Sequence, residues 1–392
     1  MSRPTLSLCI LTKDSGSRMR DLLLDGRRFA DEIVVGVDAA SSDETESVAA
    51  GLADVVFRFE HAGVQEHARL LLLEFASAEW ILALDDDERM DSAFGDLRAE
   101  LLSDLRYTHY WFPRKWLTQL QPPAHLDALP WLPDWQLRLF RNDRKLVWAS
   151  PRLHDPYMVI GMGCREDRTA IVHYERAIFD EDVRRRKMAN RRNRWGASPY
   201  DEFYGSVSGV PTAPLENPPM PVEAEAGARP PARVVEGIHS TNRSLLPPWS
   251  AELSVPTSRT ESAGRRFLVE VTAINRGDLR WVPPQEGWPR LFLSYHLRDV
   301  GNDVRVWDGE RTPVARVVDP GEPARFYAEA IAPDEPGDYI LEWDLVSEGE
   351  CWFSECGSMP ARTALRVVPD ERAPAGRRPS RLRGWRSALQ AR

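Results

Sequence analysis

At 392 residues the chain is long enough for two or three domains of roughly 150 residues each, and 42% hydrophobic with 28% charged residues is the composition of a folded globular protein. A formal net charge of -9 gives no support to nucleic-acid binding. No stretch reaches the roughly 20 apolar residues of a membrane-spanning helix, and four cysteines in so long a chain do not make a disulfide framework.

Leu6 to Leu11 reads as a buried strand. It runs into Thr12-Lys13-Asp14, not into a small-residue cleavage site, so the cytoplasm is the expected compartment. Arg18 to Phe29 has helical apolar spacing, and Glu32 to Val37 is a second strand. Asp43 to Leu52 follows as a helix with Ser41 or Ser42 as its cap. Val55 to Phe59 is a third strand, Val64 to Ala76 a third helix, and Trp80 to Leu84 a fourth strand. Strand-helix repeats of this length predict a parallel sheet with helices on its faces. From 201 to 250 the chain is crowded with Pro, Gly, Ala and Glu and reads as a linker across which few contacts should pass. From 251 to 370 strands recur at Phe267–Ile274, Leu291–Leu297, Ala324–Ala330 and Tyr339–Leu345, with Pro-Gly and Asn-Arg-Gly turns between them, which favours a β-sandwich. Cys351 and Cys356 have no second ligand pair and read as free thiols.

Asp85-Asp86-Asp87-Glu88 follows the fourth strand directly. Ligands of open α/β sheets bind outside the carboxyl ends of the strands. Clustered acids persist there when solvated or neutralised, and their hard oxygens suit Mg²⁺ or Mn²⁺ shared with a substrate diphosphate.

Four segments in order resemble the family-two inverting glycosyltransferases with a GT-A fold, of the bacterial lipopolysaccharide-core type. They are Leu6 to Asp14; Asp31 to Val35 with Asp38, Ser41, Asp43 and Thr45; Glu79 to Glu88; and Trp135 to Arg141 followed by His154-Asp155. The resemblance implies a Rossmann-like GT-A domain over residues 1–200 that binds a nucleotide-sugar donor. Thr12, Lys13 and Asp14 would form the nucleotide loop, and Asp38 would accept hydrogen bonds from the base. Arg69 would face the nucleotide, Asp85 and Asp86 the ribose-diphosphate, and Asp85 with Asp87 would hold Mn²⁺ or Mg²⁺. An Asp, Glu or His must take the acceptor's proton; Asp134 is preferred, with Asp155 as its rival and His154 as a metal or diphosphate contact. His173 reads as a core residue. The family's first loop usually carries Asn-Glu where this chain has Asp14-Ser15 after Lys13, and Leu70 stands where Asn is common after the arginine.

The second folded part is similar to immunoglobulin-like accessory domains, with Trp281, Trp288, Trp307, Trp343 and Trp352 expected mainly in its core. Residues 371–392 form a tail in which the stretch from Arg377 to Arg392 has six arginines and no acid, suited either to an anionic membrane surface at the inner face of the plasma membrane or to a solvated end. The whole reads as a metal-dependent inverting glycosyltransferase acting on a cell-envelope or exported, free or lipid-linked glycan. The alternatives are a non-catalytic scaffold on the same fold and a nucleotidyltransferase, for which a glycine-rich phosphate loop is missing.

Overall fold

The computed structural model describes residues 3–60, 65–149, 157–195, 203, 207–219, 230–239 and 249–370. Four strands form the centre of the first sheet: β1 (Leu6–Thr12), β2 (Glu32–Asp38), β3 (Val55–Phe59) and β4 (Trp80–Asp85). They run parallel in the order β4-β1-β2-β3. Strands covered on both faces read as continuous apolar runs, and β1 is buried along its whole length. Its buried Ser7 is satisfied by donating to Glu32 at 2.5 Å.

Helices α1 (Gly16–Gly26), α2 (Thr45–Leu52) and α3 (Arg69–Phe75) link these strands. Neither Ser41 nor Ser42 starts α2; Asp43 instead accepts the Thr45 N–H at 3.0 Å. The helix read over 64–76 is shorter, because Gln65–Ala68 winds as a tighter 3₁₀ turn before α3.

Beyond β4 come β5 (Glu88–Met90), α4 (Ala93–Ser103), β6 (His109–Leu120), β7 (Pro123–Leu126) and β8 (Trp135–Arg141). The last pairs antiparallel with both β4 and β6. Tyr110 faces Leu139 while Trp111 faces Leu137, so Arg138 is an extra residue in β8. A bulge of this kind redirects a side chain. The chain then makes β9 (Val147–Ala149), β10 (Tyr157–Val159), β11 (Gly163–Arg165), β12 (Ile171–His173), α5 (Glu175–Ile178) and α6 (Glu181–Trp195). Among the described residues no helix is long and apolar enough to cross a membrane.

Within the stretch read as a linker, β13 (Thr212–Pro214) pairs with β7, and β14 (Arg233–His239) adds to β3 in parallel as the sheet's edge. An edge strand needs partners on one side only, so a mostly exposed segment can join a sheet without an apolar run.

The second part has two layers. β15 (Ala251–Ser254), β17 (Arg266–Asn275) and β21 (Pro323–Ile331) make one sheet. The other has the order β16 (Ser258–Ser262), β24 (Ala361–Val368), β22 (Gly337–Ser347), β18 (Leu291–Asp299) and β19 (Val304–Val306). β20 (Thr312–Pro313) pairs with β18, and β23 (Cys351–Trp352) with β22. Strict alternation along β17 turns Phe267, Val269, Val271 and Ala273 inward, where they share a core with Leu293, Tyr295, Leu341 and Trp343. Trp281, Trp343 and Trp352 are buried as expected, whereas Trp288 is half-buried and Trp307 is 46% exposed.

The two parts are not joined by a linker alone. One apolar cluster runs from Cys9 and Phe57 through Leu146, Val147, Tyr157 and Ile160 to Leu279, Trp281 and Val282. The Gly161 N–H donates to the Trp288 carbonyl at 2.7 Å and the Arg280 N–H to that of Lys145 at 2.9 Å. Lys145 also pairs with Asp319 at 3.3 Å. The expectation of few contacts fails because the β9–β10 hairpin carries its own apolar face into the seam.

Candidate active site at the carboxyl ends of the parallel strands

Parallel β1, β2 and β4 deliver Thr12, Asp38 and Asp85 to one rim of the sheet. Behind the first loop, the Thr12 hydroxyl donates to Asp86 Oδ2 at 2.9 Å and the Ser15 hydroxyl to the same oxygen at 2.5 Å. Burial and the neighbouring Asp87 push the Asp86 carboxyl up from its ordinary value, against the pull of Ser15, Thr12 and Arg18. Asp14 sits in the left-handed region at φ 47°, which Asp tolerates because its side chain bonds locally. Its Oδ1 accepts the Ser42 N–H at 2.8 Å, and its own N–H donates to Ser41 Oγ at 3.3 Å. Asp38 is 1% exposed, accepts the Ala40 N–H at 2.9 Å, and has the Lys13 ammonium 3.2 Å from Oδ2.

The bulge in β8 aims Arg138 at the acidic turn. Its Nη2 donates to Asp85 Oδ2 at 2.6 Å and to Glu88 Oε1 at 2.8 Å, while Nε donates to Glu88 Oε2 at 2.9 Å. Glu88 is fully buried, with Arg114 Nη1 a further 3.3 Å from Oε1. Burial alone would raise its pKa, but Arg138 and Arg114 outweigh that and the carboxyl lies below its usual range. Arg114 Nε in turn donates to Asp134 Oδ2 at 2.8 Å, so charges alternate in sign from Asp85 to Asp134.

Pairing of β5 with β12 places His173 opposite Glu88, and the Tyr174 N–H donates to the Asp87 carbonyl at 2.8 Å. His173 Nε2 therefore lies 3.5 Å from Asp87 Oδ1. Burial would make this histidine harder to protonate, but the Asp87 carboxylate more than offsets it and the net shift is upward. Its buried Nδ1 has no hydrogen-bond partner among the described residues. The Trp116 ring packs edge-on against the imidazole with centroids 4.2 Å apart.

These observations sort the residues singled out from sequence. Thr12 meets Asp86, while Asp85 turns to Arg138 and Asp87 to His173. Lys13, Asp14 and Asp38 form an adjoining cluster, and Arg69 lines a small pocket with Asp85, Arg138 and Tyr157 while lying 5.4 Å over the Tyr157 ring. Asp134 stands one residue further back, with both oxygens engaged: Oδ2 by Arg114 and by Trp116 Nε1 at 2.9 Å, Oδ1 by Gln136 Nε2 at 2.7 Å. His154 and Asp155 lie outside the described residues. Sequence reasoning missed Arg138, Glu88, Arg114 and His173. An arginine inside the otherwise apolar Leu137 to Phe140 was the available signal for the first. His173 is indeed buried, but at the edge that meets Asp87.

A cluster of acids beyond β4 and a loop beyond β1, on parallel strands wrapped by helices, decides the fold class. The first domain is Rossmann-like. No protein-family model matches the chain, and no curated protein sequence does. Among solved structures it is similar to S. aureus TarS over 35% of this chain and 47% of that one, at 16% identity and a TM-score of 0.27. It is similar to Mycobacterium tuberculosis glucosyl-3-phosphoglycerate synthase, crystallised with Mn²⁺, uridine diphosphate and glucosyl-3-phosphoglycerate, over 29% and 44% at 16% identity and a TM-score of 0.23. A CARDB domain from Pyrococcus furiosus aligns over 30% of this chain and 86% of its own, at 14% identity and a TM-score of 0.19. The chain thus spans less than half of the TarS and synthase structures. Scores of this size carry neither fold nor function across, and the strand order and side chains above are what any assignment stands on.

Chemically, the rim offers a carboxylate beside an imidazole. Among the described residues no three His, Cys, Asp or Glu side chains converge as a complete ligand set. Asp87 and His173 still fit a hard divalent cation, because Mg²⁺-type sites commonly use one or two protein ligands and take the rest from phosphate and water. Asp85 does not stand free for that task, since Arg138 already holds its Oδ2.

Proposed function

We propose that the chain is an inverting glycosyltransferase that moves a sugar from a nucleotide-sugar donor to a hydroxyl of a cell-envelope or exported glycan, working in the cytoplasm with Mn²⁺ or Mg²⁺. The observation that carries this reading is the Asp87–His173 pair, 3.5 Å apart beside the acidic turn of a parallel strand. A cation held there would neutralise the departing diphosphate. The protein's own groups do the rest. Arg138 holds Asp85 in one orientation toward the ribose and sugar. Thr12 and Ser15 fix Asp86 behind the loop, and Lys13 with Asp38 borders the base. The acceptor oxygen bonds to the anomeric carbon as the bond to the diphosphate breaks, and a carboxylate takes the proton. Asp134, the residue preferred by sequence position, already has both oxygens engaged by Arg114, Trp116 and Gln136, so neither is turned toward an incoming hydroxyl. We therefore assign the base to Asp155, with His154 as a diphosphate contact and Asp134 as the anchor of Arg114.

The test is thermal stabilisation by UDP, GDP, CMP and TDP, each with and without Mn²⁺. One nucleotide should stabilise the protein in a metal-dependent way, and Asp87→Ala or His173→Ala should remove the metal-dependent part. Equal stabilisation with and without metal in all three proteins would sink the reading. A non-catalytic scaffold draws on the Lys13 ammonium that closes Asp38 at 3.2 Å; on that reading no nucleotide stabilises the protein at all.

A further inference from the structure

A cavity of about 1060 Å³ opens between the first sheet and the second domain. Ligand pockets usually run to about 300–1,000 Å³, so this one has room for several sugar rings. Strands β6, β8 and β11 supply Trp111, Trp135 and Arg165 to it, and the second domain supplies Trp288, Arg290 and Glu350. Tyr157 lines both this cavity and the small pocket that holds Asp85 and Arg138, so the two spaces adjoin.

The charges in the cavity are uneven in how they are satisfied. Glu348 is taken by Arg311 Nε at 3.0 Å. Glu350 accepts the Trp288 indole N–H at 2.7 Å and the Ser347 hydroxyl at 2.9 Å. Arg165 and Arg290 are both exposed; Arg165 lies 5.3 Å over the Trp135 ring, and among the described residues neither has a carboxylate within ion-pairing distance. Two such guanidiniums on the walls of one cleft are open to an anion from outside, whose carboxylate or phosphate matches their planar fork. Trp111, Trp135 and Trp288, all half-buried, line the same cavity, and indole rings suit the faces of sugar rings.

We propose that this cleft binds an acidic glycan, its carboxylate or phosphate groups on Arg165 and Arg290 and its ring faces against Trp111, Trp135 and Trp288. That the bound glycan is the acceptor rests on the transferase reading above; that it binds does not.

Calorimetric titration of the full chain with tetragalacturonic acid, glucose 6-phosphate and neutral maltotetraose tests this directly. At least one anionic probe should bind, with maltotetraose about tenfold weaker or more, and Arg165→Ala and Arg290→Ala should each cost about tenfold. Arg290→Lys should recover part of the loss. Binding of tetragalacturonate alone assigns a carboxylated glycan, and of glucose 6-phosphate alone a phosphorylated one. No binding by either anion, equal binding of maltotetraose, or affinity unmoved by both arginine substitutions overturns the proposal. Nucleotide stabilisation is measured on the same proteins. If it is metal-dependent throughout while no anion binds, the cleft proposal falls and the transferase reading stands. If anions bind through the arginines while no nucleotide stabilises, the glycan site stands and the transferase reading falls.

Discussion

At the scale of single residues, Arg138 lies between two carboxylates that would otherwise repel each other, Asp85 and the fully buried Glu88. Removing one member of a buried ion pair leaves the other without compensation, at a cost of about 3–5 kcal/mol. Arg114 stays near Glu88, so the lower end applies. Arg138→Met should thus destabilise by about 3 kcal/mol and lower the melting temperature by several degrees. Arg138→Lys keeps the charge but not the planar fork and should fall between the two. Thermal unfolding of the three proteins decides the matter; a Met variant as stable as the parent would mean that the pair is not the anchor described. The two candidate bases separate in turnover. Asp155→Asn should cut it by about 10² to 10⁴ with nucleotide binding intact. Asp134→Asn should cost less in turnover and more in stability, because Arg114 loses one of its two charged partners. The reverse pattern would return the base to Asp134.

Elements show why some of the protein could be read from its sequence. β1 to β4 and the long strands of the second domain appear as apolar runs or clean alternation because burial dictates residue type along them. β13 and β14 leave no such trace, since an edge strand can be largely solvated. The bulge at Arg138 and the approach of His173 to Asp87 depend on pairing between strands distant in sequence, to which local periodicity is blind. Within β22 the same logic predicts a pH effect. Glu342 is buried between Arg298 at 3.1 Å and Arg362 at 2.6 Å on the flanking strands. Burial would raise its pKa, but the two arginines outweigh it and the folded value lies below the ordinary 4.5. An acid depressed in the folded state adds stability above its unfolded pKa and loses it as pH falls through the folded one. Glu342→Gln should therefore lower the melting temperature at neutral pH and flatten the decline below pH 4.5. Parallel melting curves from pH 7 to pH 3 would show that this carboxylate contributes nothing.

For the molecule as a whole, the question is whether two folded parts melt as two. A Pro-rich connection predicts independent units, so that a chain ending just after Tyr204 would fold and bind nucleotide. The structure gives such a chain three deficits. It lacks β14, leaving β3 as an unpaired edge. It lacks β13, which pairs with β7. It also bares the face of Val147, Tyr157 and Ile160 that packs toward Trp281 and Val282. Exposed apolar surface beside an open strand edge favours aggregation, so the shortened chain should be poorly soluble although every described residue of the acidic turn is present. A subtler probe avoids truncation. Trp281 is wholly buried at the seam, and Trp281→Ala should cost about 3–5 kcal/mol. Where one core serves both parts, calorimetry of the parent should give a single transition, and the substitution should move all of it to lower temperature. Two resolved transitions in the parent, with only one displaced in the variant, would mean that the seam is too weak to couple them. The cleft above Tyr157 would then have walls free to separate, and glycan affinity should fall as the second domain is loosened.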